Sequence, residues 1–364
     1  MNRRKFIQSG AAAAALASLP RISFAQQLAF DPRPGAWRTF EIATRVEVLK
    51  PTGATRAWIP VPSVEGDYQK VGGNSWSGNG SARLARDGKY GAAMVAAEWG
   101  AGEKAPALEV VSTFSTRNRA VDFSKPDAAL RLDAASAAFN TAATDLMPTD
   151  GIVRDTAREI VKGKVGEVEK ARAIYEWIVD NTFRDPKTRG CGVGDIKSML
   201  ETRNLGGKCA DLNALYVGLA RSVGLPARDV YGIRVVKSEF GYRSLGAGSP
   251  NVTRAQHCRA EVFLSGYGWV PVDPADVRKV VLEEKAQPTT LADPLVPPVR
   301  AKLFGAWEMN WLAYNEAHDV KLPGSSGAPV AFLMYPQAES GGKRLDPLDP
   351  DNFRYTITAR EIRA

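Results

Sequence analysis

The stretch Asn204–Arg228, "NLGGKCADLNALYVGLARSVGLPAR", decides how the rest of the chain is read. Leu212, Leu215, Tyr216, Leu219, Ala220 and Val223 recur at the three- and four-residue spacing of one helical face, which predicts an amphipathic helix. Gly224, Leu225 and Pro226 then stop it, because glycine takes the left-handed turn after a helix and proline cannot extend one. Cys209 therefore falls in the first turn, behind Gly206, Gly207 and Lys208. There the unpaired N–H groups and the positive end of the dipole favour an anion over its neutral acid. A thiol so placed loses its proton readily and becomes a usable nucleophile. The competing reading is a small buried apolar residue.

A nucleophilic thiol needs a base, and the chain has two histidines, His257 and His318. In "QHCRAEVFLSGYGWVPVDPAD", residues 257–264 alternate, a glycine-containing link follows, and Trp269–Asp273 forms a second short strand. That is a hairpin whose first strand opens on a base and whose second ends on a carboxylate, Asp273. A plain four-residue loop pairing Leu264 with Trp269 puts His257 and Asp273 on opposite faces. A three-residue loop with a glycine bulge pairs Leu264 with Gly268 and brings them diagonally together. The functional reading requires the second register. Alternation turns Cys258 away from His257. His318, in "NEAHDV", reads as a surface or loop residue.

Residues 1–25 are set aside first. "MNRRKFIQ", the ten-residue apolar run "GAAAAALASL" and "SFA" before Gln26 have the layout of a twin-arginine export signal. The run is shorter than the ~18 residues that span a bilayer, so a soluble protein exported to the periplasm, with no integral membrane segment once the leader is removed, is expected. Its removal takes four basic residues and no acidic one, leaving 44 against 40, which argues against nucleic-acid binding. The compartment permits disulfides. With Cys209 reactive, Cys191 and Cys258 are the pair left by elimination.

Hydrophobic content of 44% and charge of 24% are those of a globular chain, and 364 residues favour more than one domain. Phe40, Ile42, Thr44, Val46 and Val48 alternate with polar neighbours, and strand-like runs at 57–62, 92–99 and 108–114 follow, so 26–125 reads as an antiparallel β-sandwich. Helical spacing at 128–146, 152–161 and 168–181 precedes the Cys209 helix and its hairpin, making 126–296 an α+β unit. Residues 297–364 read as a mixed extension packing on it. No phosphate-binding glycine loop, repeat or C-x-x-C occurs.

"GGKCADLNALYVGLARSVGLPARDVYGIRV", "HCRAEVFL" and "GWVPVDPAD", in this order, resemble the transglutaminase-like superfamily, most of all its bacterial exported members with an added N-terminal β-domain. The resemblance implies a papain-like cysteine-protease core with Cys209 as nucleophile, His257 as base and Asp273 as orienting acid. Many members carry an aromatic residue after the histidine, where this chain has Cys258. The expected chemistry is hydrolysis of a peptide or carboxamide through a thioester, without a cofactor, on a peptide or protein substrate. The alternatives are a protein-glutamine acyltransferase and a non-catalytic binding or assembly protein. The Cys209 N–H is the expected oxyanion donor, with Asn204 as a second. A zinc site of Cys191, Cys209, Cys258 and His257 has the right ligand types, but residues 257 and 258 point apart on a strand. Asp276, Asp211 and Asp195 are rival acids, the last two with capping roles that suffice for them. Trp177 and Trp269 read as core packing.

Overall fold

A computed structural model describes residues 29–362. The expected export signal at 1–25 lies outside the described residues.

The alternation after residue 38 becomes the strand Arg38–Val48, with Phe40, Ile42, Thr44, Val46 and Val48 buried. It is central in a four-stranded sheet ordered Phe353–Ile362, Arg38–Val48, Ala107–Thr116, Gln69–Gly78. A five-stranded sheet, Lys343–Leu345, Gln337–Ser340, Thr55–Pro60, Ala93–Trp99, Ser81–Arg86, faces it. Val46, Val48, Leu108 and Val110 from the first sheet meet Ile59, Val95 and Ala338 from the second in one apolar cluster, which is the packing that holds a β-sandwich together.

Residues 297–364, expected as a mixed extension packing on the helical unit, divide between the two layers. Val299, Leu303, Phe304, Met334 and Tyr335 join the helical unit's core and Trp311–Asn315 joins its sheet, while Gln337–Ser340, Lys343–Leu345 and Phe353–Ile362 supply strands to both sheets of the sandwich. The reason is edge satisfaction: Arg38–Val48 and Thr55–Pro60 each have one side open until a late strand covers it.

Between the two passes through the sandwich, a second sheet runs Gly268–Val272, Gln256–Leu264, Ala227–Arg234, Trp311–Asn315, all antiparallel. The helices Gly151–Ile160, Glu167–Asn181, Cys209–Ser222 and Pro274–Glu283 share an apolar core with it. Cys209–Ser222 is buried from Cys209 to Arg221, so it is the central helix of this layer. It ends as its sequence requires, with Gly224 at φ +83° and Leu225 N–H donating back to Ala220 O at 3.0 Å. The helix expected over 128–146 shrinks to Ala134–Thr141, started by Asp133, whose side chain accepts from Ser136 N–H. None of its residues is buried, and a helix without a packed face has little to extend it.

Phe40, Phe114 and Ile357 of the sandwich share a cluster with Ile233, Leu312 and Tyr314 of the second sheet, so the two layers meet through an apolar contact. Among the described residues no helix is long and apolar enough to cross a membrane.

Candidate active site

Gly206 and Gly207 form a two-residue parallel ladder with Phe183 and Arg184. A Cβ on Gly206 would lie 2.3 Å from the Phe183 ring, and one on Gly207 would lie 2.5 Å from the Asp211 Cβ. The glycine pair is thus set by close approach, which lets the strand run straight into the helix at Cys209. Asp211, in the first turn, accepts from Lys208 N–H through Oδ2 and from Val193 and Gly194 N–H through Oδ1, each at 2.9 Å. It caps the helix and fastens the loop that carries Cys191. Asp195 has the capping role expected of it, accepting from Ser198 N–H at 3.0 Å.

The hairpin takes the register with Leu264 opposite Gly268 and Ala260 opposite Val272. Gly266 and Gly268 hold φ of +86° and +71°, conformations that glycine adopts without strain. Asp273 follows the second strand as cap of the helix Pro274–Glu283, its side chain accepting from Asp276 N–H. His257 and Asp273 therefore meet: Nε2 lies 2.7 Å from Asp273 Oδ2. Trp311 Nε1 donates to His257 O at 2.8 Å and fixes the strand beneath the ring.

Around this pair is a charge cluster that the sequence shows only in part. Asp276 Oδ1 is 3.4 Å from His257 Nε2 and accepts from Arg234 Nη2 at 2.5 Å, while Arg259 Nε is 3.5 Å from Asp273 Oδ2. Asn213, one turn beyond Cys209, donates to Cys258 O at 2.8 Å and to Asp273 Oδ1 at 3.3 Å. All five charged side chains are at most 3% exposed. Buried charges persist when paired, and here two guanidinium groups and an imidazole face two carboxylates. Burial alone would lower the His257 pKa, but Asp276 and Asp273 outweigh burial and Arg234, raising it to about 9. Asp276 is held well below the usual carboxylate range, Arg234 overcoming the effect of burial. The ligand atoms of His257, Asp273 and Asp276 lie within 4.8 Å of one another, yet Arg234 and Arg259 already stand against both carboxylates, a setting that repels a metal cation.

Cys209 is the first residue of its helix and 2% exposed. Its pKa is drawn well below the thiol range by hydrogen bonding from Cys191 and Cys258, and by the hydrogen bond and charge of His257, against burial. Cys191 is pushed up by the same contact with Cys209, and Cys258 by burial. All three cysteines are free, which corrects the expected Cys191–Cys258 bridge: Cys191 Sγ donates to Gln256 O at 3.4 Å, and both thiols bear on the Cys209 sulfur. Cys258, expected to face away from His257, does not line the cleft and bears on the Cys209 sulfur. The three sulfurs do not all lie within 4.8 Å of one another, so the set does not make a zinc cage.

Asn204 is corrected as well. It is exposed, accepts from Gly206 N–H at 3.3 Å as a turn residue, and does not line the cleft. His318, expected at the surface, is 4% exposed and bonded to Tyr231 OH at 3.2 Å. It too is absent from the cleft lining. Trp177 packs against the core, and Trp269 lies under the Arg228 guanidinium at 3.9 Å.

Cys209 and His257 open into a cavity of about 760 Å³. One wall comes from the C-terminal chain through Tyr335, Leu348, Phe353 and Tyr355. The Tyr335 side chain was not anticipated: its residue is 6% exposed and its hydroxyl has no hydrogen-bond partner.

A buried cysteine at a helix start, facing a histidine and an aspartate presented by an antiparallel sheet, defines a papain-like core. The family model described as the transglutaminase-like superfamily matches residues 154–274, a span that holds Cys209, His257 and Asp273. Residues 154–274 are thus a transglutaminase-like superfamily domain. An uncharacterized protein of Haemophilus influenzae is 36% identical over 342 residues, covering 89% of this chain and 91% of its own. The fold is also that of a candidate cysteine protease from Cytophaga hutchinsonii, with a TM-score of 0.50 at 14% identity over 90% of this chain and 99% of that one.

Proposed function

We propose that the protein is a cysteine hydrolase, a peptidase or amidase, that works through a thioester on Cys209. The observation that carries this reading is the buried His257–Asp273 bond at 2.7 Å beside a thiol whose pKa is drawn down by its neighbours. The Cys209 thiolate attacks the amide carbonyl carbon, and the tetrahedral oxyanion collapses with loss of the C–N bond. Protonated His257 gives its proton to the departing amine. His257 then takes a proton from water, which attacks the thioester and frees the sulfur. Asp273 keeps the ring oriented with Nε2 toward itself, leaving Nδ1 for the sulfur.

For the oxyanion we assign two donors. The Cys209 N–H, at the helix start, has no acceptor among the described residues. The Tyr335 hydroxyl is the second: burial and Cys191 hold it well above the usual phenol range, so it stays a donor. Hydrolysis is favoured over amine transfer because exposed Arg189 and Arg254 line the cleft and water reaches it.

The test is incubation with a peptide-amide library, with mass spectrometry for a Cys209 acyl adduct in the wild type, Cys209→Ala, His257→Ala and Tyr335→Phe. The adduct is expected in the wild type and absent from Cys209→Ala. Tyr335→Phe is expected to slow adduct formation about 10²-fold. Release of the adduct to added amines in preference to water would make the protein an acyltransferase. Absence of any adduct from the wild type would leave a binding protein.

A further inference from the structure

Six cationic side chains line the cleft, Arg184, Arg189, Lys208, Arg234, Arg254 and Lys279, and no carboxylate does so among the described residues. Three have close partners outside the lining: Arg234 on Asp276 at 2.5 Å, Arg189 on Asp346 at 2.7 Å, and Arg184 on Glu283. Lys279 has only a 3.7 Å share of the same Glu283. Lys208 and Arg254 have no carboxylate partner among the described residues. The leaderless chain has a small basic excess, 44 against 40, so this concentration is local.

We propose that the acyl donor for Cys209 is an anionic peptide whose carboxylates seat on Lys208, Arg254 and Lys279. The proposal rests on the reading of Cys209 as the nucleophile and adds the substrate class. Each of the three cations borders the cavity that holds the sulfur, so a bound carboxylate lies in the same space as the amide under attack. Lys279 has a side chain only 17% exposed, and burial together with Arg234 lowers its amine to about 8. An arriving anion supplies the missing counter-charge. A cleft lined by one sign of charge raises the local concentration and on-rate of the opposite sign by about 10- to 10³-fold. Leu348, Phe353 and Tyr355 line the same cavity and give an apolar side chain of the same peptide a surface to lie on.

Two arms test this. In the first, Cys209 is alkylated with iodoacetate and with iodoacetamide, reagents of similar size that differ by one charge. The ratio of their rates cancels any change in thiolate content. Relative to glutathione, the ratio is expected to rise about tenfold in favour of iodoacetate at low salt and to fall toward the glutathione value in ~0.5 M salt. It is also expected to fall in Lys208→Gln/Arg254→Gln/Lys279→Gln. In the second arm, calorimetry compares acetyl-tetraglutamate amide with acetyl-tetraglutamine amide on the Cys209→Ala protein, with at least tenfold tighter binding of the acidic peptide expected. A glutathione-like, salt-independent ratio together with equal binding of both peptides overturns the proposal. A thiol inert to both reagents overturns the nucleophile reading instead, and the calorimetric arm, which needs no thiol, then decides the anion site by itself.

Discussion

Protonation at the site is set by two groups shifted in opposite directions, the Cys209 thiol and the His257 imidazole. The Cys209 thiol lies well below its ordinary value and the His257 imidazole is raised to about 9. The ion pair therefore spans neutral pH, is lost on the acid side when the sulfur takes a proton, and on the alkaline side when pH rises through about 9. Iodoacetamide labelling of Cys209 is expected to stay flat from about pH 9 down to below pH 7, whereas a free thiol with a pKa near ~8.5 slows about tenfold per unit there. A labelling profile that follows the free thiol would show that the neighbours do not activate the sulfur. The two carboxylates at His257 divide differently. Asp273→Asn is expected to cost about 10³- to 10⁴-fold in kcat/KM, measured on the amide that forms the adduct. Asp276→Asn strands the buried Arg234 and is expected to cost about 3–5 kcal/mol of stability, read as a fall in Tm, with a smaller loss of rate. The reverse division would make Asp276 the orienting acid. Cys209, His257 and Asp273 are legible as a set because each ends or begins an element with a clear period. Asp276 is visible only as a rival, and Arg234, Arg259 and Asn213 carry no sign of their role, since their partners arrive from other elements in the folded chain.

Among the elements, the hairpin shows how far local rules reach. Its register follows from two glycines whose positive φ sets a short bulged loop, and the placement of His257 against Asp273 follows from that register. The segment before Cys209 shows where such rules stop. "GG" reads as a turn, yet each glycine is needed because another element presses on it: the Phe183 ring on Gly206, Asp211 on Gly207. Gly207→Ala is expected to destabilise the protein by about 1–3 kcal/mol through overpacking and to slow Cys209 labelling by moving the helix start. Thermal unfolding and iodoacetamide kinetics on one preparation check both. Unchanged values in both would show that Asp211 shifts freely. Cys191 likewise has no sequence mark of its position; the loop bonded to Asp211 places it beside the sulfur.

For the whole molecule, the first and last strands lie side by side, from Thr39 opposite Ile362 to Val48 opposite Phe353, and Arg38 bonds Glu361 at 2.9 and 2.8 Å. Sequence periodicity identifies such strands but carries no information on which distant one pairs with which, so the N-terminal sandwich is legible and its C-terminal strands are not. Deleting residues 353–364 is expected to bare the edge of Arg38–Val48 and drive the protein into aggregates, seen as loss of the wild-type peak in size-exclusion chromatography. A folded truncation that elutes with the wild type would refute the view that this strand closes the sheet. The same pairing sets a timetable. At ribosomal rates of roughly 5–20 residues per second, the stretch from Val48 to Phe353 takes about 15 to 60 s to make. For that interval the opening strand waits for a neighbour not yet synthesised, so completion of the sandwich is a late step, and the growing chain is open to chaperones and proteases until then.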